Sequence, residues 1–244
     1  MRNVLCAPIA VAAAAAFVSL PASAQDGQPA WLDVAIVQIK PGHAPDFEPL
    51  VGELMQALQA AGRQTPQVFE VVLGRPGEYH LVTPVASIAA NEMAGPPMEQ
   101  AQMAVWTQRI TQHVDSVRFF YARLHPEHGI QTDAGGSAEI MVLQTIRTVA
   151  GMQNEYAEWV ADYLVPALRE TDIAGHTLSS GAFGDSSQNF YHATPVSGWD
   201  YLDMEGPLQR SMGQAAYDRM IDRVDGVVES NSMVVARMRG DLQP

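Results

Sequence analysis

Tyr79-His80-Leu81-Val82-Thr83-Pro84-Val85 and Phe190-Tyr191-His192-Ala193-Thr194-Pro195-Val196 are apolar, aromatic-rich runs closed by the same Thr-Pro-Val, the second 111 positions after the first. Such runs, bounded by Gly, Pro and polar turn residues, read as strands. Working outward from each gives the same order of elements twice. Before the first run lie Val34 to Lys40, a β-branched strand stopped at Pro41-Gly42, and a helical stripe of Phe47, Leu50, Val51, Leu54, Met55 and Leu58. Pro45-Asp46 suits the first turn of that helix and Gly62 its end. Val68 to Leu73 then turns at Gly74-Arg75-Pro76-Gly77 into the Tyr79 strand. Met103, Trp106, Ile110, His113, Val114 and Val117 predict a second helix, and Arg118 to Arg123 a closing strand.

Around the second run, Ile140 to Ile146 reads as a strand, with Gln144 at the place of Gln38. Tyr156, Trp159, Val160, Tyr163, Leu164, Ala167 and Leu168 predict a helix capped by Asn154, with Pro166 kinking or shortening it. Thr177 to Phe183 pairs with Phe190 to Val196 as a hairpin, Tyr217, Met220, Ile221 and Val224 mark a helix, and Ser232 to Arg237 the last strand. Met93 and Gly95-Pro96 recur as Met204 and Gly206-Pro207. The sequence therefore predicts an α+β chain of two ferredoxin-like β-α-β-β-α-β repeats, residues 31–126 and 139–239, joined by a polar, Gly-rich linker at 127–138. The strands are apolar on both faces, since neither Val34, Ile36 and Gln38 nor Ala35, Val37 and Ile39 is polar throughout. A sheet with two apolar faces needs a partner on each. Helices cover one face, and the other copy is the simplest cover for the second.

Residues 1–24 read as a signal peptide: Arg2, a short small-apolar run and an A-x-A site at Ala22-Ser23-Ala24, with Gln25 opening the mature chain. The expectation is an exported bacterial protein, periplasmic or secreted. The single cysteine, Cys6, lies within that segment, so no disulfide, thiolate metal site or cysteine nucleophile is expected in the mature chain. A net charge of −13, from 14 Lys and Arg against 27 Asp and Glu, argues against nucleic acid and against an anionic membrane surface as partners. Walker, dinucleotide, His-Glu-x-x-His and nucleophile-elbow signatures are absent, and His43, His125, His128 and His176 show no metal-ligand spacing.

In element order, duplicated sheet pattern and hairpin position, the chain resembles the dimeric α/β-barrel superfamily, its antibiotic-biosynthesis-monooxygenase-like and NIPSNAP-like branches, here in tandem so that one chain makes a pseudo-dimeric barrel. The resemblance runs from about Trp31 to Arg239 and rests on no catalytic motif. The resemblance implies a range of activities, from cofactor-independent oxygenation of phenolic polycycles through haem degradation and chlorite decomposition to ligand binding alone, with a pocket between sheet and helices. The reading favoured here is binding of a small, mostly apolar molecule or of a partner protein by a monomeric chain without a cofactor. A cofactor-independent monooxygenase, or a haem-handling enzyme, is the alternative.

The candidate ligand-binding residues are Tyr79, His80 and Gln38 in the first copy and Tyr191, His192 and Gln144 in the second. No catalytic residue and no metal site is assigned. Aligned on Thr-Pro-Val, His80 matches Tyr191 and His192 matches Leu81. A one-residue offset turns a strand side chain to the opposite face, so the two histidines should face different compartments. Each is either a hydrogen-bonded structural histidine or a proton-transfer group or iron ligand. Gln38 and Gln144, amid apolar neighbours, must satisfy their amides against a ligand or across the two sheets. Trp106, Tyr156, Trp159 and Tyr163 read as helix core, and the methionines as core filler.

Overall fold

The computed structural model describes residues 31–130 and 138–244. Residues 1–24, read above as a signal peptide, and Asp133–Gly136, read as the heart of a linker, lie outside the described residues. In the first half, β1 (Trp31–Ile39) ends at a turn where Gly42 takes φ 80°, α1 (Ala44–Ala60) follows, and β2 (Gln67–Leu73) and β3 (Glu78–Val85) form the hairpin. After α2 (Ile88–Met93) and α3 (Gln100–Ile110), β4 (Val114–Leu124) closes the half. The second half runs β5 (Ile140–Thr148), α4 (Gln153–Trp159), α5 (Val165–Arg169), β6 (Thr177–Gly181), β7 (Asn189–Val196), α6 (Pro207–Met212), α7 (Gln214–Ile221) and β8 (Val228–Met238). Among the described residues no helix is long and apolar enough to cross a membrane.

The strands close into one antiparallel barrel in the order β1-β3-β2-β8-β5-β7-β6-β4. Closure answers the two-apolar-face problem: one face of each strand packs on helices, the other on the barrel interior, and no edge is left unpaired. Ala35, Val37, Ile39 and Tyr79 join the α1 and α3 residues in one core, and Ile146 and Phe190 join Tyr156, Trp159 and Met220 in another. The opposite parity, Leu32, Val34, Phe120 and Ala122 with Phe69, Met141 and Ala236, packs inside the barrel. The halves meet at two seams. β2 pairs with β8 (Phe69 opposite Met238), and β4 pairs with β6 through Ala122, Arg123 and Leu124.

Register makes the halves comparable place by place. Trp31 lies opposite Val85 as Ile140 lies opposite Val196, and each of β1 and β5 carries one register irregularity near its end against its other neighbour. On this frame His80 (opposite Ile36) matches Tyr191 (opposite Thr145), as expected. Leu81 (opposite Ala35) matches His192 (opposite Gln144). Gln144 therefore matches Ala35, not Gln38, whose own counterpart is Arg147. The expected symmetry of the two glutamines is corrected: the short apolar run fitted a frame three residues off.

Several boundaries also move. The second helix of the first half stops at Ile110, and His113, Val114 and Val117 belong to the turn and to β4. Their three-residue spacing imitates a helix, but the β-branched and aromatic run that continues from them extends instead. β8 likewise begins at Val228, and β6 ends at Gly181. Met152, not Asn154, holds the N-cap position of α4. Pro166 is accommodated by a π turn at Val160–Leu164, so that it falls in the first turn of α5. The extra residue per turn rotates Tyr163 out to solvent, where Arg223 lies 4.5 Å from its ring, and Tyr163 is not core. Met93 and Met204 are exposed rather than core filler.

Candidate functional site inside the barrel

Strand alternation divides the predicted site residues between two compartments. Tyr79 faces α1, where its hydroxyl donates to Glu48 at 2.7 Å, while His80, the next residue, faces the barrel interior. In the second half Tyr191 lines the interior and His192 faces α4. Gln38 sits at the end of β1 with its amide donating to the Pro76 carbonyl at 3.0 Å, and Gln144 borders the interior while donating to Asn231 at 3.1 Å. Neither bridges the two halves' sheets to each other. The six residues thus form no single cluster: His80, Gln144, Tyr191 and His192 line one cavity, while Tyr79 and Gln38 lie away from it.

That cavity, about 100 Å³, lies inside the barrel and takes its walls from both halves: Leu32, Val34, Val82 and Phe120 from one, Met141, Leu143, Ala193 and Val234 from the other. At one end two polar constellations converge. His80 Nε2 lies 2.6 Å from Glu78, which also pairs with Arg75 at 3.4 Å. Burial would raise the Glu78 carboxyl, but His80 and Arg75 outweigh it and hold Glu78 below the usual carboxylate range. Across the barrel, Asp185 accepts a short hydrogen bond from the Tyr191 hydroxyl and one from Asn189 at 3.0 Å, and pairs with Arg118 at 3.3 Å. Burial and the Asp185 carboxylate both push the Tyr191 hydroxyl well above its ordinary value, so it remains a protonated donor. Arg118 covers the Phe120 ring, which stacks on Tyr191 with centroids 5.4 Å apart. Arg75, Arg118, Glu78 and Asp185 were not singled out in the sequence. Each is an ordinary surface-type residue until the closed barrel turns it inward or folds a loop over the rim.

His192 belongs to a different network. It is fully enclosed, with Tyr156 Oη 2.8 Å from Nε2 and His176 Nε2 2.9 Å from Nδ1. Burial, reinforced by His176, lowers the His192 pKa to about 3, and burial lowers that of His176 to about 4, so both rings are neutral at pH 7. The chain of bonds then has a direction. If Tyr156 donates to His192, then His192 donates to His176, and only the His176 Nδ1–H is left over. The reverse order would strand the Tyr156 hydroxyl proton in the core, at a cost of about 1–3 kcal/mol. The matched residues of the first half are Phe47, Leu81 and Pro66, all apolar. The barrel therefore closes without this network, although His192 is also among the residues that line the interior cavity.

Haem, the alternative cofactor, does not fit at either of the two candidate histidines. His192 spends both nitrogens on Tyr156 and His176 within a packed core, and His80 faces a space far smaller than a porphyrin.

No family model matches the chain, and no curated protein matches its sequence. Solved structures share its fold. A Fusobacterium nucleatum protein provisionally assigned as a monooxygenase superposes with TM-score 0.61 at 10% identity, covering 86% of this chain and 92% of that one. An anthrone oxidase-like protein gives TM-score 0.59 at 13% identity over 86% and 91%. A mutant chlorite dismutase from Candidatus Nitrospira defluvii gives 0.54 at 10% over 86% and 91%. At such identities the likeness shows the fold alone, an α/β barrel, and in each case it extends over most of both chains.

Proposed function

We propose that the chain is an exported, monomeric, fused α/β barrel, its halves the two repeats read from the sequence, that binds a small, mostly apolar molecule inside the barrel. The observation that carries this is the interior cavity, apolar along its length and bounded at one end by paired charges. Arg118 with Asp185 and Arg75 with Glu78 neutralise each other locally. That end suits a neutral hydroxyl or carbonyl better than a free ion. A 150 Å³ apolar cavity takes a benzene-sized guest, so about 100 Å³ limits the ligand to roughly one small ring unless the walls move. Ligand-observed NMR with phenol tests the reading. Binding is expected to the native chain and to be lost in a folded Val34→Trp variant, whose indole fills the cavity; phenol binding that survives V34W overturns the site. Amino-terminal sequencing of exported protein is expected to begin at Gln25.

One feature favours a second, enzymatic reading. The Glu78–His80 pair faces the cavity as a carboxylate-oriented imidazole, suited to take a proton from a bound phenol as the first step of cofactor-free oxygenation. Phenol-dependent oxygen uptake that disappears in His80→Gln would establish it. Binding without uptake is the outcome expected here.

A further inference from the structure

Where β1 passes into α1, beside the junction of α3 with β4, two histidines 70 positions apart meet: His43 Nδ1 lies 3.0 Å from His113 Nδ1. Asp46, one helical turn after His43, completes a set in which one ligand atom of each residue lies within 4.8 Å of the others. We propose that His43, His113 and Asp46 bind a divalent transition-metal ion of the zinc or copper class.

Two ligand nitrogens at about 2.05 Å from a shared ion are about 2.9 Å apart at a right angle and about 3.3 Å apart at the tetrahedral angle, the range the two Nδ1 atoms occupy. Two imidazoles and a carboxylate suit Zn²⁺, Cu²⁺ or Ni²⁺. The half-exposed histidines and exposed Asp46 leave water free to complete the coordination sphere. His43 holds the N-cap position of α1, yet its side chain caps no backbone donor and turns to His113. The Lys40 N–H to His113 carbonyl bond, 2.9 Å, pins the two segments together.

The second half supplies an internal control. There the matching bond, Val149 N–H to the Val227 carbonyl at 2.8 Å, forms the same junction, with Met152 at the N-cap and Val227 in place of His113. The fold therefore does not require either histidine. Glu155, counterpart of Asp46, keeps an acid in the first helical turn, where it complements the helix dipole, so Asp46 is the least diagnostic of the three. Lys40, its ammonium donating to the Gln112 carbonyl at 2.7 Å, opposes a cation and keeps affinity below that of a closed structural site.

The test is isothermal titration of the purified chain, free of any histidine tag, with ZnCl₂ and, under electron paramagnetic resonance, with CuSO₄. One equivalent is expected to bind with nitrogen hyperfine structure on Cu²⁺. His43→Met and His113→Val, which install the second half's residues at unchanged folding, should each weaken binding roughly tenfold or more. His125→Ala/His128→Ala removes a second part-exposed histidine pair, whose rings lie 6.2 Å apart, and should leave binding intact. Undiminished binding in H43M/H113V, loss only in H125A/H128A, or no binding to the native chain overturns the site.

Discussion

Asp33 on β1 is buried, and its carboxylate accepts a hydrogen bond from Asn91 at 2.9 Å. Burial raises its pKa from 3.8 to about 6, Asn91 opposing and Glu92 adding to the shift. The folded state thus holds a proton that the unfolded chain releases between about pH 4 and 6, so this group's contribution falls across that window as pH rises and stays unfavourable above it. Asp33→Asn is expected to stabilise the protein by roughly 2–3 kcal/mol at pH 8 and to change little at pH 3, measured by urea unfolding. His176 and His192 act in the opposite sense. Their folded pKa values lie below the ordinary 6.5, so stability present above pH 6.5 is lost as pH falls toward 4 and then 3. Tyr156→Phe/His192→Leu, which copies the first half's Phe47 and Leu81, should remove the His192 share of that acid limb and keep the His176 share, at a cost of about 1–3 kcal/mol at pH 7 because buried His176 loses its bond to His192. The opposed faces of His80 and His192 were legible in a one-residue sequence offset. The partners Asp185, Tyr156 and His176 were not, because each lies on a loop or helix apart from the strand that carries its partner; Glu78, two residues before His80 on the same strand, lay within reach of the alternation but was not singled out.

Elements were legible where periodicity was strong, as along α1, and failed where two periods overlap. Val114 and Val117 fit a helix as far as they go, and only the longer run through Tyr121 shows alternation. Pro166 foretold a break, but not that the chain would absorb it as a π turn that exposes Tyr163. β6 is the shortest strand and carries one whole seam, and it has a constraint the sequence did not advertise. A Cβ at Gly181 would overlap the Ser186 carbonyl oxygen and the Asp185 carboxylate. Gly181→Ala should therefore cost about 1–3 kcal/mol, seen as a lower urea midpoint, and should loosen the loop that presents Asp185 to Tyr191.

For the whole molecule, the need for closure could be read from strands apolar on both faces, but not the identity of the strands that meet. Seams depend on pairs such as Arg239 with Glu48, 191 positions apart. At the β2–β8 seam Arg239 bridges Glu48 and Glu70, and Arg237 reaches Glu70 at 2.9 Å. At the β4–β6 seam the charged contact among the described residues is the single Arg118–Asp185 pair, which joins β4 to the loop after β6. Arg239→Met is expected to lower stability by about 1–2 kcal/mol, with a loss that shrinks in high salt, because these partly exposed pairs are screened.

The register that matches His80 with Tyr191, Ile36 with Thr145 and Arg118 with Ser232 means that the two walls of the cavity are chemically unlike. A barrel assembled from two identical chains would carry a rotation axis through its interior, and a guest there would have two indistinguishable poses. Here that degeneracy is lifted. A molecule entering the cavity meets imidazole and guanidinium on one side and phenol and hydroxyls on the other, so one end of it can be told from the other. Uniqueness of pose forgoes only about 0.4 kcal/mol of orientational entropy, while a single pose is what any regioselective chemistry or directional recognition requires.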